Sequence, residues 1–260
     1  MTLTLALAAT ATLVALAFAA STYERWLARR RRHDLAWALS LVFFACGSLA
    51  LWAGAALGWG STTFRLFYLF GAVLNVPFLA LGTVYLLGGR QRGDQVAVVV
   101  ALACAFAAGV IAVAPTTGAI DPAVLPRGSE VFGPLPRVLA AVASGAGALV
   151  VFSGAVWSAA RLLRGRSRPG GVGPAVSPGR LAAGNLMIAL GTAVLSASGL
   201  LNSVLGEMQA FAVTLTAGII VLFAGFLVAS GAPRTPLAGV GPVGQRDGGG
   251  VTRLEGRATG

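Results

Sequence analysis

Long apolar runs alternate with short arginine-containing connectors along this 260-residue chain. A helix needs about 20 apolar residues to cross about 30 Å of hydrocarbon, since each residue adds about 1.5 Å. Seven runs reach this length, and we therefore expect an all-α fold, a polytopic transmembrane bundle of seven helices. The predicted spans are about 2–20, 35–58, 66–88, 95–114, 138–160, 181–203 and 209–230.

The arginines of the connectors fall into two very unequal groups. The connectors after the first, third and fifth spans, with the tail, contain sixteen arginines and five acidic residues, a net charge of +11. The alternate connectors contain Arg65, Arg127 and Arg137 against three acidic residues. Arginine-rich loops of membrane proteins stay in the cytoplasm. The sequence therefore predicts a multi-pass protein of the cytoplasmic membrane, with its N-terminus outside and its C-terminus in the cytoplasm.

Residues 1–231 are predicted to form one transmembrane domain, and residues 232–260, rich in Gly, Pro and Arg, a flexible cytoplasmic tail. The connector 115–137 contains five prolines and is predicted to be non-helical. Ala17-Phe18-Ala19 resembles a signal-peptidase site, which leaves cleavage of the first span as an alternative. Cleavage would place the following arginine cluster outside, so we expect an uncleaved anchor.

The composition excludes a soluble domain. Charged residues make up 10% of the chain and hydrophobic residues 57%, with a mean hydropathy of +0.83. Soluble domains carry about 25% charged residues, which build their polar surface. The net charge of +11 lies between apolar runs and not on a basic face with interleaved aromatic residues, so nucleic acid is not predicted as a partner.

Several membrane chemistries lack the side chains that they require. The chain has no lysine for a retinal Schiff base, and its single histidine, His33, falls in a connector. No ionisable residue falls in the middle of a predicted span, which argues against proton relays, ion-coupled transport and voltage sensing. Cys46 and Cys104 are interpreted as small apolar packing residues. We predict no enzyme activity, catalytic residue, metal or cofactor.

Small and polar residues recur at helical spacing within the spans, and two interpretations stay open. They could form packing seams, since helices in lipid associate through close backbone approach and hydrogen bonds. They could instead line a ligand or substrate cavity. Asn75 lies near mid-membrane, and Pro77 frees a backbone carbonyl one turn before it. The candidate cavity or packing residues are Asn75, Pro77, Asn185, Thr192 and Asn202.

Charged residues at the span ends suggest two further contacts. Arg65 and Glu207 are both placed where outer connectors enter helices, and they are predicted to form an interfacial ion pair or else to extend separately towards water. Arg29, Arg30, Arg31 and Arg32 form the most basic run of the chain. They are predicted to contact anionic lipid headgroups at the cytoplasmic face, and docking of a membrane-protein partner is the alternative.

The segment FRLFYLFGAVLNVPFLALGTVYLLGG, together with the predicted topology, resembles uncharacterised seven-helix integral membrane proteins of high-GC Gram-positive bacteria. It also resembles the seven-helix input modules that precede bacterial signalling domains. This resemblance implies a bacterial membrane protein and no functional residues. We expect a non-enzymatic sensory, accessory or structural role. The alternative is a small permease or transporter subunit for a neutral or lipid-like solute.

Overall fold

The computed structural model describes residues 2–116, 118, 120–164, 178–205 and 208–230, and within them the chain is helical apart from short connections. The all-helical prediction is therefore confirmed for this part of the chain. The tail 232–260 lies outside the described residues. The helices are α1 Thr2–Arg29, α2 Arg32–Leu57, α3 Ser61–Tyr68, a π-helical turn Leu69–Leu74, α4 Asn75–Val113, α5 Gly128–Val131, α6 Pro134–Leu163, α7 Pro178–Leu205 and α8 Met208–Ser230.

Six helical segments among the described residues are long and apolar enough to cross a membrane. One of them, Ser61–Val113, has 53 residues, and a straight helix of that length would measure about 80 Å. It does not run straight, because Gly89 has φ 78° and ψ 179° and breaks the helix. The segment folds back there, since the Arg65 side chain contacts the carbonyl of Ala114 and the Tyr85 hydroxyl contacts Asp94. Residues 61–88 and 90–113 therefore form two antiparallel arms.

The first arm, residues 61–88, is the central helix of the bundle. It packs against α2, where a Cβ on Gly47 would lie only 2.9 Å from the backbone nitrogen of Gly71. It packs against α6, where Gly147 lies beside Val76. The remaining helices complete a ring around it, because α6 contacts α7, α7 contacts α8, and α8 contacts α1, which returns to α2. The second arm lies at the periphery, with Leu102 68% exposed.

Two apolar clusters fill the bundle, one towards each end. We call the end that holds residues 58–64 and 115–133 the loop end, and the end that holds residues 25–34 and 85–94 the arginine end. The loop-end cluster is built around Trp59, Phe64 and Phe132. The other cluster is built around Phe18 and Phe226, whose ring centroids lie 4.6 Å apart.

The helices extend beyond the predicted spans into two connectors. Helix α1 continues to Arg29, nine residues past the predicted end, because Glu, Arg, Leu and Ala are good helix formers. The prediction of a non-helical connector over 115–137 is wrong for the C-terminal part of that connector. Helix α5 forms at Gly128–Val131, and α6 begins at Pro134. Proline is tolerated in the first helical turn, where its missing N–H would have had no partner.

Gly89 gives the first testable prediction. Its backbone conformation belongs to a region that is open almost only to glycine, so Gly89→Ala should lower the free energy of unfolding by about 1–3 kcal/mol. The matched control is Gly88→Ala, whose Cβ would make ordinary contacts with the side chains of Arg92 at 3.5 Å and Val84 at 3.7 Å. This control should leave stability unchanged or raise it by about 0.4–1 kcal/mol. Urea titration in mild detergent, followed by circular dichroism, measures both, and equal losses would contradict the hairpin.

Candidate functional site

The middle of the first arm has an irregular backbone that α2 stabilises. Pro77 has no N–H to donate, and the π-helical turn Leu69–Leu74 precedes it. The Ser40 hydroxyl donates to the backbone oxygen of Asn75 over 2.7 Å, and Trp37 Nε1 donates to the carbonyl of Leu79 over 3.2 Å. Both donors lie on α2. These two hydrogen bonds tie α2 to the first arm on either side of Pro77.

Asn75 is buried at this point, with 8% of its surface exposed. Its side-chain oxygen Oδ1 has no hydrogen-bond partner among the described residues. A buried amide oxygen without a donor costs roughly 1–3 kcal/mol. The same irregular stretch of helix thus combines a proline, a π turn and one of the four unpaired side-chain polar atoms among the described buried residues.

The other predicted cavity residues lie on α7 and contact different neighbours. Asn185 Nδ2 donates to Ser158 Oγ on α6 over 3.0 Å, which joins the two helices. The Thr192 hydroxyl donates to the carbonyl of Ile188 in its own helix over 2.8 Å. Neither of these hydrogen bonds reaches Asn75 on the first arm. The side chain of Asn202 lies outside the description, so its part in a cavity or seam stays a prediction.

Arg65 binds the end of the second arm. Its Nη1 donates to the carbonyls of Ile111 and Ala112, the latter over 3.1 Å, and its Nη2 donates to the carbonyl of Ala114 over 2.6 Å. The last carbonyls of a helix have no intrahelical donor, and a guanidinium near them also complements the helix dipole. Glu207 lies outside the described residues, so the predicted Arg65–Glu207 pair stays a prediction.

The connector 115–133 closes the loop end of the bundle. Phe132 is 1% exposed, and its ring lies 5.4 Å from that of Phe64 and 5.1 Å from that of Tyr68. The Arg65 guanidinium carbon lies 5.7 Å from the centre of the same ring. The Trp59 amide also donates to the carbonyl of Pro122 over 3.0 Å. We call this arrangement of Phe132 on Phe64, Arg65 and Tyr68 the aromatic cap.

At the arginine end an ion pair between a buried carboxylate and an arginine links three helices. Asp34, at the start of α2, is 3% exposed, and its Oδ1 lies 2.6 Å from Arg25 Nη2 on α1. The Arg25 guanidinium lies 4.0 Å from the ring centre of Phe226 on α8. His33 Nε2 lies 3.8 Å from Asp34, but burial outweighs that carboxylate and lowers the pKa of the imidazole, so His33 is neutral at pH 7.

Asp94 forms a second ionic cluster, in the connector between the two predicted spans 66–88 and 95–114. The Tyr85 hydroxyl donates to its Oδ1 over 2.8 Å, Arg32 Nη1 donates to the same oxygen, and Arg90 Nε lies 3.8 Å from Oδ2. The hydrogen bond from Tyr85 and the charge of Arg32 lower the pKa of the Asp94 carboxyl below its ordinary value. Asp94 is therefore ionised at neutral pH, and it ties both arms to the start of α2.

The predicted basic run divides into different environments. Arg32 pairs with Asp94, and the Arg30 guanidinium lies 4.8 Å from the centre of the Trp26 ring. No contact with lipid is tested, so the headgroup contacts of Arg29, Arg30, Arg31 and Arg32 stay predictions. The described residues contain no group of three His, Cys, Asp or Glu side chains that could hold a metal ion. Cys46 and Cys104 are free thiols on different helices.

Several of these contacts have no clear signal in the sequence. Ser40 and Trp37 gave no sign that their side chains bind carbonyls beside Pro77, although a proline-containing span does imply such donors. Phe132 follows a run of prolines and could have been noticed as a large apolar residue in a polar connector. Asp34 and Asp94 were assigned only to their side of the membrane, because their partners are brought together by the tertiary fold.

No protein-family model matches the chain, and comparisons with curated proteins and with solved structures also find no match.

The Arg65 contacts generate a second testable prediction. Arg65→Gln should lower the free energy of unfolding by about 1.5–3 kcal/mol, because a neutral amide cannot donate to three carbonyls and charged hydrogen bonds contribute about that much. The matched control is Arg137→Gln, an exposed arginine at the same end, which should change stability by less than about 0.5 kcal/mol. Equal effects in a urea titration would contradict the carbonyl contacts. A loss reproduced by Glu207→Gln would instead assign the effect to the predicted ion pair.

Proposed function

We propose that this chain is a non-enzymatic sensory protein of a bacterial cytoplasmic membrane, with seven crossings, its N-terminus outside and its C-terminus in the cytoplasm. Six apolar segments support a multi-pass membrane protein, and the turn at Gly89 supports a seventh crossing within Ser61–Val113. The arginine end carries Arg25, Arg32 and Arg90, as expected for a cytoplasmic face. The loop end would then face outwards.

One observation carries the sensory role: a single helix connects the two ends of the bundle and is irregular in its middle. The first arm begins within the aromatic cap, where Phe64 and Tyr68 contact Phe132. It ends with Tyr85, whose hydroxyl binds Asp94 in the cluster with Arg32. A change in the bend of this helix would therefore move both ends together.

The middle of the arm is where such a change requires least energy. π-Helical turns and prolines are the sites at which helices bend, and π turns are frequent at functional sites. The Ser40 and Trp37 contacts stabilise the present conformation, while Asn75 Oδ1 still lacks a donor among the described residues. A second conformation that pairs this oxygen would regain roughly 1–3 kcal/mol, enough to balance modest losses elsewhere. These features support a two-state element coupled to both membrane faces.

An accessory or structural role shares the same topology but needs no movement of the first arm. The permease alternative is favoured by one observation, the unpaired Oδ1 of buried Asn75, which could accept a hydrogen bond from a neutral solute. The residues of α7 give the permease alternative less support, because the Asn185 amide already donates a hydrogen bond to Ser158. We therefore place transport second.

The orientation gives the third prediction. An alkaline phosphatase fused after residue 260 should be inactive, because it would lie in the cytoplasm, where the enzyme does not acquire its disulfides. A fluorescent protein at the same position should fluoresce. A phosphatase inserted at residue 118, in the loop-end connector, should be active. The opposite pattern, with an active C-terminal phosphatase and a dark fluorescent fusion, would refute both the orientation and the sensory proposal built on it.

The coupling between the two ends gives the fourth prediction. Spin labels placed at Gln91 and Arg164, both exposed at the arginine end, report the position of the turn between the arms relative to α6. Phe132→Ala should remove the aromatic cap and shift their mean distance by about 1–2 Å, or create a second distance population, as helix shifts of this kind do. Pulsed electron paramagnetic resonance measures the distances, in a background with Cys46 and Cys104 replaced by alanine.

The matched control is Phe152→Ala, which removes a ring that is 44% exposed on α6 and outside the aromatic cap. It should leave the distances unchanged. Phe132→Leu keeps an apolar side chain in the cap and separates a specific effect from loss of fold, which a urea titration checks. Identical distances in all variants would contradict coupling. A folded Asn75→Ala variant that abolishes solute uptake would then favour the permease.

A further inference from the structure

A small cavity of about 210 Å³ lies at the arginine end, between the α1–α2 connection and the turn between the two arms. It contains charged and aromatic side chains from both sides of this gap. The side chains that line it are Arg30, Arg32, His33, Tyr85 and Arg90. Three of these five are arginines, which is unusual in a chain with only 10% charged residues.

The cavity keeps an excess of positive charge. Two carboxylates contact its lining: Asp94, through Arg32 and through Arg90 at 3.8 Å, and Asp34, through His33 at 3.8 Å. Since Asp34 already pairs with Arg25 and His33 is neutral, the three guanidinium groups of the lining face Asp94 as the remaining carboxylate. The Arg90 side chain is 78% exposed, so most of its donors remain free for a ligand. The cavity is therefore suited to an anion with more than one oxygen.

Arg30 is held in place by an unusual backbone. Its φ of 51° lies in the left-handed region, and it is the only non-glycine residue with positive φ among those described. Its guanidinium lies over the Trp26 ring at 4.8 Å, which fixes the side chain. Such conformations cost of the order of 1–3 kcal/mol and cluster at ligand sites. Glycine would relieve this strain, yet an arginine occupies the position.

We infer that this cavity binds a phosphate group, carried by the headgroup of an anionic lipid or free in solution. The planar guanidinium forks of Arg30, Arg32 and Arg90 match the spacing of phosphate oxygens. The volume is below the roughly 300–1,000 Å³ of pockets that enclose a drug-sized ligand, so it fits a headgroup and not a larger organic anion.

This inference does not rest on the sensory role. It adds to the predicted contacts of the arginine run, because it assigns binding to two members of that run, Arg30 and Arg32, and adds Arg90 from a different connector. A diffuse electrostatic attraction would involve every arginine at this end in proportion to its charge. Binding at a specific site would depend instead on the arginines that line the cavity.

Matched double variants separate these cases. Arg30→Gln with Arg90→Gln removes two charges from the cavity. Arg29→Gln with Arg92→Gln removes two charges from the same two connectors without touching its lining. Native mass spectrometry of the full chain in mild detergent then compares binding of phosphatidic acid, phosphatidylglycerol and phosphatidylcholine with identical acyl chains. Isothermal titration calorimetry with inorganic phosphate alone provides the soluble arm, and urea titration verifies that each variant is folded.

We expect wild type to prefer phosphatidic acid over phosphatidylcholine, and the cavity variant to lose about tenfold in affinity while the control loses less than about twofold. Calorimetric binding of inorganic phosphate with the same variant pattern, without a lipid preference, would assign the site to free phosphate. Equal losses in the two double variants, or no preference for anionic over zwitterionic lipid and no phosphate binding, would overturn the inference. Arg90→Gln alone, at a largely exposed side chain, keeps the test valid if the double variant does not fold.

Discussion

The structure depends on hydrogen bonding to the backbone of one helix, the first arm, in which a proline and a π turn interrupt the regular hydrogen-bond pattern. In hydrocarbon each unpaired carbonyl costs several kcal/mol, because no water can reach it. Pro77 and the π turn Leu69–Leu74 place such carbonyls in the middle of the first arm. Ser40 and Trp37 bring donors to this region from α2. Their hydrogen bonds to the carbonyls of Asn75 and Leu79, on either side of Pro77, fix α2 against the first arm, which also packs on α6 and so lies at the centre of the bundle.

Close backbone contact brings these donors within reach. A Cβ at Gly47 would lie 2.9 Å from the nitrogen of Gly71, so the two helices can approach this closely because Gly47 lacks a side chain. Trp37 lies against Gly82 in the same way. Small residues and polar donors therefore act together here. The glycines allow the two helices to approach closely, and at that separation the Ser40 hydroxyl and the Trp37 indole reach backbone carbonyls of the first arm. On α7 the two kinds of contact serve different neighbours, since Asn185 binds Ser158 of α6 while Gly184 packs on Gly225 of α8.

The apolar spans and the irregular backbone near Pro77 could be predicted from the sequence, since both follow from local properties. Hydropathy marks a span, and a missing N–H marks a free carbonyl. Local properties do not reveal that Ser40 donates to the backbone oxygen of Asn75, because Ser40 lies 35 positions away in the chain. The carbonyl contacts of Arg65 were missed for a related reason. A charge pattern suggests an acidic partner, whereas a helix end offers neutral oxygens that carry no sequence signature.

The ionic contacts at the arginine end fix the positions of helices along their axes, which the apolar interior constrains only weakly. Contacts between Ala, Gly and Leu side chains in lipid constrain the position of a helix along its axis only weakly, since one small residue packs much like the next. Directional pairs remove this freedom. Arg25 with Asp34 fixes α1 against α2, and Asp94 with Arg32 fixes the turn between the arms against the same helix start. At the other end Arg65 fixes the second arm through its last carbonyls. Charges confined to both ends therefore set the register of a bundle whose midplane has none.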